Sequence, residues 1–491
     1  EAFLDGVPML VICGGPHTGS GHKYQLHQMD LHRFMGGLTK STFHVGQHRD
    51  IVPTLFRAYD IATGGEPGPV FVELPVNLQI FPGDIDELPL YRRPAAMPLG
   101  QHSEIERAAA LLANAARPGL FVGWGARDAV AEVMEIAELL QAPVATTLQG
   151  LSAFPANHPL HAGFGFGQAA VPAARNAFSG TDALLAVGTR FAEIATGSYG
   201  ITVPDNLVHV DINPEVFSAN YPAKVGIAGD ARAVLRELLA ALRKLRPQPR
   251  PNAALRQQIL RDKQAYRQSW YAHDSQGRVN PARLFDELRK QTPDNAITVI
   301  DDGNHTFLTA ELWPVHAPKS VILPTDFNCM GYAVPAAIGA KLAHPDLPVN
   351  TIVGDGAFLM TCMEILTASA NRLGVVYYVF NDGELSQIAQ AQQIPYNRKP
   401  CTRLGQLNLE GVAIATGAAY VAMENDAGIA SAIGQANAHA AGGQPVIVDV
   451  RIDYSKRTAF TEGAVKTNFQ RFPLRHKVRA VTRALVRKVT G

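Results

Sequence analysis

Two aspartates with glycine neighbours carry the clearest chemical signal in this sequence. Asp355 stands between two glycines in a GDG motif, and Asp382 stands in a later NDG motif. Carboxylate oxygens are ligands that Mg²⁺ prefers, and two carboxylates that come close repel each other unless a cation lies between them. The pair therefore predicts a Mg²⁺ site that is shared with phosphate oxygens.

The elements around these aspartates place both at the carboxyl edge of one parallel sheet. Residues 349–353 are predicted to form a strand, residues 357–373 a helix, and a second apolar strand precedes Asp382. The apolar face of the helix is Leu359, Met363, Leu366 and Leu373. Ligands bind at this edge of open α/β sheets, and a helix N-terminus suits a diphosphate. The alternative is that both motifs are plain turns, since short glycine motifs recur by chance.

GDG, a helix, an apolar strand and NDG, in this order, resemble the diphosphate-binding motif of thiamine diphosphate (ThDP) dependent enzymes. The resemblance implies Mg²⁺ ligation by the carboxylates of Asp355 and Asp382 and by the backbone carbonyl of Glu384. Asp382 stands where that family more often has Asn, which keeps an oxygen ligand and adds a negative charge. The implied cofactor-binding residues are Asn304, His305, Asn328, Cys329, Met330, Gly354, Asp355, Gly356, Ala357, Phe358 and Asp382.

Met330 and His27 are the candidate catalytic residues. Residues 327–341 resemble the segment that precedes GDG in the family, where a hydrophobic residue bends the cofactor into its reactive shape, and Met330 takes that position. His27 stands in a loop where acetolactate synthase-like members carry a Phe-Gln pair, and imidazole titrates near neutrality. The alternatives are a core role for Met330 and exposed positions for His27 and His305.

Strands alternate with helices along the chain, which predicts an α/β protein with three doubly wound parallel-sheet domains. The segments DGVP, TK and PGPV are similar to the end of the pyrimidine-binding domain of acetolactate synthase-like enzymes, and VGTRF and VDINPE to their central domain. The resemblance implies that the first half of the pyrimidine-binding domain, with the glutamate that activates the cofactor, lies outside this chain. The predicted ranges are 1–95 for the pyrimidine-binding part, 104–243 for the central domain, 244–279 for a linker and connecting helix, 280–453 for the diphosphate-binding domain and 454–491 for a basic tail.

The same resemblance raises the question of a flavin (FAD) in the central domain. Gly123, Gly125 and the Thr146-Thr147-Leu148 segment fit a flavin-binding pattern, whereas residues 163–168 diverge from it. A purely structural central domain is the alternative.

Composition narrows the class of protein. The 491 residues carry a net charge of +1 and 47% hydrophobic residues, which fits a globular protein and argues against a nucleic-acid partner. The four cysteines show no metal spacing or disulfide framework. The sequence has no apolar run of bilayer length and no signal-peptide pattern, so we expect a cytoplasmic protein.

The tail is predicted to form a basic amphipathic helix over residues 475–489. Its apolar face is Val478, Val481, Leu485 and Val489, and Arg475, Arg479, Arg483 and Arg487 lie beside it. It would pack on its own domain, cover the active site or lie on a membrane surface of anionic lipid.

The resemblance implies a homodimer or homotetramer that acts on a small-molecule 2-keto acid. The expected reaction is decarboxylation of a pyruvate-like acid and transfer of its acyl unit to a second carbonyl, with ThDP and Mg²⁺ as cofactors. Ala391 replaces the tryptophan by which biosynthetic acetolactate synthases select their acceptor, and Gln387, Gln390 and Gln392 are candidate pocket residues. The alternatives are a decarboxylase, lyase or hydrolase with another substrate, or a non-catalytic ThDP-binding relative.

Overall fold

A computed structural model describes residues 1–85, 87–94, 102–249, 251–405 and 407–475, together with residues 477, 479 and 482. The chain divides into two compact units, Glu1–Leu99 and Gly100–Gly491. Three sheets of parallel strands form the framework, which confirms the predicted α/β fold with parallel sheets. Among the described residues, no helix is both long and apolar enough to cross a membrane.

The first unit contains a three-stranded sheet of order β1-β3-β2. Its strands are β1 (Met9–Gly15), β2 (Ser41–His44) and β3 (Pro69–Pro75), and its helices are α1 (Leu31–Met35), α2 (Ile51–Thr63) and α3 (Val76–Ile80). Lys40 ties β2 to the end of α2, because its ammonium donates to the carbonyls of Ile61, Gly64 and Glu66 at 2.5–2.8 Å. A cation at a helix C-terminus is favourable, so the Thr-Lys element has a structural role in this unit.

The second unit begins with a six-stranded sheet of order β6-β5-β4-β7-β8-β9. Its strands are β4 (Pro118–Val122), β5 (Val144–Thr146), β6 (His161–Phe164), β7 (Ala183–Val187), β8 (Asn206–Asp211) and β9 (Val225–Ala228). Its helices are α4 (His102–Asn114), α5 (Val130–Leu140), α6 (Pro172–Ala177) and α7 (Ala231–Leu245). The middle strands are wholly apolar and buried, as expected for a sheet that helices cover on both faces.

A second six-stranded sheet, of order β11-β10-β12-β13-β15-β14, completes this unit. Its strands are β10 (Ile297–Ile300), β11 (Val321–Ile322), β12 (Val349–Gly354), β13 (Val375–Phe380), β14 (Ala419–Met423) and β15 (Val446–Val450). Alternate residues of β13 enter different cores: Tyr378 and Phe380 pack on one face of the sheet and Tyr377 and Val379 on the other. Its helices, with the connecting helix α8, are α8 (Ala253–Tyr271), α9 (Pro281–Lys290), α10 (Asn304–Leu312), α11 (Ala333–Ala343), α12 (Asp355–Thr361), α13 (Ile365–Ala370), α14 (Ser386–Tyr396), α15 (Leu409–Thr416), α16 (Ile429–Ala441) and α17 (Ala459–Arg471).

The single helix predicted over residues 357–373 is wrong in two respects. A 3₁₀ turn at Cys362–Glu364 divides it into α12 and α13. The predicted apolar face is also the wrong one, since Leu359, Met363 and Leu366 are 42–52% exposed. Small and bulky residues of the other face, such as Ala357 and Ile365, pack on the sheet instead. Periodicity located an apolar face but did not show which face the fold buries.

The basic tail is described only in part. Arg475 and Arg479 lie among the described residues, whereas Val478, Val481, Arg483, Leu485, Arg487 and Val489 lie outside them. The amphipathic helix and its lipid or lid role remain predictions.

Candidate functional site

The polar cavity of the second unit lies where the winding of its last sheet reverses. The chain leaves β10 towards β11 on one side and returns to place β12 on the other side. The loops after β10, β12 and β13 surround a cavity that is open to solvent on one side. Ligands in open α/β sheets bind in such a crevice, outside the carboxyl ends of the strands.

Asp355 joins the two glycine-containing loops at this edge. It follows the last residue of β12 and is 3% exposed. One carboxylate oxygen accepts the N–H of Gly356 at 2.7 Å, and the other accepts those of Gly383 at 2.7 Å and Asp382 at 3.2 Å. Burial raises the pKa of Asp355, and the three N–H donors act in the opposite direction. The carboxylate is thus held in one orientation, with its loop facing the cavity.

Asp382 faces the same cavity from the loop after β13. Burial, with the nearby charge of Asp355 as a smaller cause, raises its pKa to about 6. Its Oδ2 accepts the hydroxyl of Ser386, while its Oδ1 is buried without a hydrogen-bond partner in the described part of the chain. A buried carboxylate oxygen that lacks a donor is costly. A cation at this point would satisfy it and remove the repulsion from Asp355.

Glu384 lines the cavity but directs its carboxylate elsewhere. Its side chain pairs with Lys399 at 2.9 Å and accepts the hydroxyl of Thr402 at 2.9 Å. Its backbone carbonyl accepts the N–H of Ser386 at 2.8 Å. A carbonyl oxygen has two lone pairs, so one remains available to a metal ion. This arrangement agrees with a ligand role for the backbone rather than for the side chain.

Two polar side chains at the start of α10 line the opposite wall. Asn304 Nδ2 and His305 Nε2 are buried and lack hydrogen-bond partners among the described residues. Burial lowers the pKa of His305 to about 3, so the ring is neutral near pH 7. An added Cβ at Gly354 would lie 3.0 Å from this ring, so a larger residue at the first position of the GDG motif would crowd His305. The side-chain amide N–H groups of Asn304, at a helix N-terminus, suit phosphate oxygens. The neutral His305 ring carries a single N–H, which donates to the backbone of Asp301, so its Nε2 is an acceptor.

Asp301, which the sequence analysis missed, holds the Met330 turn. It is fully buried at the end of β10, and its carboxylate accepts the N–H groups of Gly331 at 3.0 Å and Ala333 at 2.7 Å. Thr361 donates to the carbonyl of Gly331 at 2.9 Å. These contacts fix the backbone beside Met330, whose side chain lines the cavity. The available signal was an acidic pair directly after an apolar strand.

The predicted site residues do not all reach this cavity. Gly354, Asp355, Gly356, Ala357, Asp382, Glu384, Asn304, His305 and Met330 line it. Phe358 packs in a core cluster beneath the site, and the lining includes neither Asn328 nor Cys329. Tyr454 lines the cavity but gave no signal in the sequence, because it is distant in the chain from both motifs. His27 is an exposed residue of the first unit with φ 61°, and its catalytic role remains a prediction.

Comparison with known proteins agrees with this site. Residues 105–238 match the central domain of thiamine pyrophosphate enzymes, and residues 301–450 match their C-terminal TPP binding domain. The chain is 31% identical over 422 residues to a probable acetolactate synthase large subunit of Methanocaldococcus jannaschii, which covers 81% of this chain and 69% of the relative.

Two bacterial proteins are also similar to this chain. The acetolactate synthase large subunit of Corynebacterium glutamicum is 33% identical over 405 residues, with 81% of this chain and 64% of that protein covered. The acetolactate synthase isozyme 1 large subunit of Escherichia coli is 29% identical over 463 residues, with 93% and 80% covered. The chain thus spans 64–80% of the length of these three relatives.

A three-sheet α/β fold with a polar cavity at the carboxyl ends of β10, β12 and β13 defines a cofactor-dependent enzyme of the diphosphate-binding kind. The chain belongs to the thiamine pyrophosphate enzyme family, with a ThDP-binding domain at residues 301–450. Among the described residues, the unpartnered amide nitrogen of Asn304 and carboxylate oxygen of Asp382 are the donor and acceptor types that a diphosphate with a divalent cation requires.

Proposed function

We propose that this chain is the catalytic chain of a ThDP- and Mg²⁺-dependent carboligase similar to acetolactate synthase. It would decarboxylate a pyruvate-like 2-keto acid and transfer the acyl unit to a second carbonyl. The observation that carries the proposal is the convergence of Asp355, Asp382, Asn304 and His305 on one cavity in the ThDP-binding domain. The relatives named acetolactate synthase support the reaction class.

The residues around the cavity have separate tasks in this proposal. Asp355, Asp382 and the carbonyl of Glu384 would hold Mg²⁺, while Asn304 would donate to the diphosphate and the neutral His305 ring would line its site. Met330, on the turn that Asp301 fixes, would support the cofactor between its rings. Bound ThDP supplies the electron sink that a 2-keto acid needs to lose CO₂.

The protein also limits water and orients the substrate. Leu385 and Ile388 add apolar surface to the cavity, and Gln387 adds an amide whose Oε1 is buried without a partner among the described residues. Gln387 is therefore the side chain we expect to contact the substrate or the cofactor. Ala391 is exposed on the same helix, α14, and provides little bulk for acceptor selection.

For the central domain we propose a structural role without FAD. The carboxyl ends of β4 and β7 meet through glycines: an added Cβ at Gly123 would lie 2.2 Å from the carbonyl oxygen of Gly188. This close backbone packing supports a domain whose loops serve the fold. Flavin absorbance that copurifies with the full-length protein in a one-to-one ratio would contradict the proposal.

We further propose a homo-oligomer, with a dimer as its smallest form. Four apolar side chains that follow one another through α12, the 3₁₀ turn and α13 are each 42–59% exposed: Leu359, Met360, Met363 and Leu366. Exposed apolar residues of this kind are typical of subunit contacts. Light scattering of Met363→Glu against the unchanged protein tests these residues, because a charge buried among them should dissociate the assembly.

The activity test uses full-length protein with ThDP, Mg²⁺ and pyruvate. CO₂ release together with acetolactate, identified by mass spectrometry, is the expected result. CO₂ release with acetaldehyde as the product would instead indicate a decarboxylase. Tight ThDP binding without turnover of any 2-keto acid would contradict the enzyme proposal and indicate the non-catalytic alternative.

A further inference from the structure

Three metal-ligating side chains of the first unit meet outside the cofactor cavity. His32 lies on α1, His44 ends β2 and Glu73 lies in β3, the middle strand of the sheet. Their ligand atoms all lie within 4.8 Å of one another. We propose that His32, His44 and Glu73 bind a divalent transition-metal ion of the zinc type.

The distances between these side chains fit such an ion. Glu73 Oε2 lies 2.8 Å from His32 Nε2 and 3.1 Å from His44 Nδ1. Tetrahedral zinc with nitrogen and oxygen bonds of about 2.0–2.1 Å separates neighbouring ligand atoms by about 3.3 Å. The two separations from Glu73 therefore lie within about 0.5 Å of the spacing that such an ion imposes.

The fold holds the carboxylate in place before any ion binds. His44 and Glu73 are directly paired in the register of β2 and β3, so their side chains start from adjacent positions. Glu73 is 6% exposed, and an added Cβ at Gly15 would lie 2.4 Å from its Oε1. Glycine at position 15 leaves the space that this carboxylate occupies. Phe71 packs edge-on against the His32 ring at 5.6 Å and orients it.

The ligand atoms of these three side chains, two imidazole nitrogens and one carboxylate oxygen, indicate which class of metal ion would bind. Two imidazoles and one carboxylate suit zinc and similar borderline cations, whereas Mg²⁺ and Ca²⁺ prefer sites made of oxygen alone. Three protein ligands leave a fourth position for water or another group. His32 and His44 side chains are 32% and 44% exposed, so an ion can reach them.

A bound ion would connect α1, and the loop that precedes it, to the sheet. Residues 16–30 form a loop whose polar contacts are mostly local, and α1 is a single five-residue helix. The alternative is a metal-free network in which Glu73 accepts hydrogen bonds from both rings. In that case the three side chains do not bind zinc, and a zinc-binding experiment distinguishes the two possibilities.

The test is zinc binding to chelator-stripped full-length protein in saturating Mg²⁺, measured by equilibrium dialysis and elemental analysis. We expect one zinc ion per chain, with X-ray absorption showing two imidazole ligands. His44→Ala and His32→Gln should each weaken zinc at least about tenfold, since even partners outside the direct ligands contribute about 10–100-fold. His22→Ala, at an exposed histidine of the adjacent loop, is the matched control and should bind zinc unchanged.

Asp355→Asn separates this site from the cofactor site and should retain the zinc ion. The proposal is overturned if the unchanged protein takes up no zinc, if His44→Ala and His32→Gln bind it as tightly as the parent, or if Asp355→Asn abolishes binding. Zinc should also raise the melting temperature of the parent protein and not that of His44→Ala, a variant at an exposed strand end.

Discussion

The two six-stranded sheets of the second unit differ in strand order, but each reverses its winding beside its first strand, between β4 and β7 in one and between β10 and β12 in the other. They use these reversal points differently. In the first, β4 and β7 meet through glycine backbones, and an added Cβ at Gly188 would lie 2.4 Å from Gly125 Cα. In the second, β10 and β12 stay paired and the loops that follow them surround a cavity lined by acids, an amide and an imidazole. The topology supplies a crevice in both cases. The residues at the strand ends decide whether backbone or a ligand occupies it.

Asp355→Asn changes a residue that lines the cavity at the reversal point of the second sheet, and we expect it to reduce activity more than any other variant considered. The change removes a negative charge from the proposed Mg²⁺ site and replaces one of two acceptor oxygens, which together receive backbone N–H groups of two loops, by an NH₂ donor. We therefore expect turnover to fall about 1,000-fold, the upper range for loss of one preorganised electrostatic group. Steady-state CO₂ release measures it. Asp346→Asn, at an exposed aspartate, is the control and should retain full activity. Equal activity of both variants would contradict the metal role of Asp355.

Gly188→Ala changes the reversal point of the first sheet, where glycine backbones after β4 and β7 are in contact. The residue has φ 59°, and the new methyl group would overlap Gly125 and Ala126. We expect a loss of about 2–3 kcal/mol in the free energy of unfolding, measured by urea denaturation. The folded fraction should bind ThDP as the parent does. Unchanged stability would mean that the glycine contacts are not required to close this crevice.

Much of the framework was predictable because buried parallel strands are continuous apolar runs. The predicted strand at 349–353 is β12 (Val349–Gly354). The cavity was less predictable. Tyr454 reaches it through tertiary packing alone, and Asp301 acts through backbone N–H groups that no spacing reveals. Apolar periodicity also predicted the wrong buried face for α12. An apolar face that stays exposed in the single chain has the same residue spacing as one that packs in a core, so spacing alone does not distinguish them.

Glu311 lies near the C-terminal end of α10, the helix whose N-terminal end lines the cofactor cavity. Its carboxylate accepts the N–H groups of Ala459 at 3.1 Å and Phe460 at 2.7 Å, far from the ligand end of the helix. Burial raises its pKa from 4.5 to about 7. The stability that this group contributes is complete below pH 4.5 and is lost as the pH rises through 7.

Glu311→Gln should therefore flatten the pH dependence of the free energy of unfolding between pH 5 and 7, by up to about 1.4 kcal/mol per pH unit. Urea denaturation at several pH values measures it. Glu237→Gln, at an exposed position of α7, should leave the slope unchanged. A parent-like slope in Glu311→Gln would show that Glu311 does not titrate in this range.

Gly339→Ala should change stability least of these variants. It contrasts with Gly188→Ala because the added methyl group has free space. Gly339 lies on the exposed side of α11, and an added Cβ would meet nothing within 4 Å. Alanine is the better helix former, so we expect stabilisation by about 0.5–1 kcal/mol in urea denaturation. Destabilisation would indicate that this surface contacts something beyond the described residues.

The most direct test of the cofactor site is calorimetric titration of ThDP into full-length protein, with Mg²⁺ and with a chelator. We expect tight binding only with Mg²⁺, loss of that binding in Asp382→Ala, and retention in Asp382→Asn, because the amide keeps an oxygen ligand. Binding of ThDP with the same affinity in the chelator, or in Asp382→Ala, would contradict the assignment of this cavity.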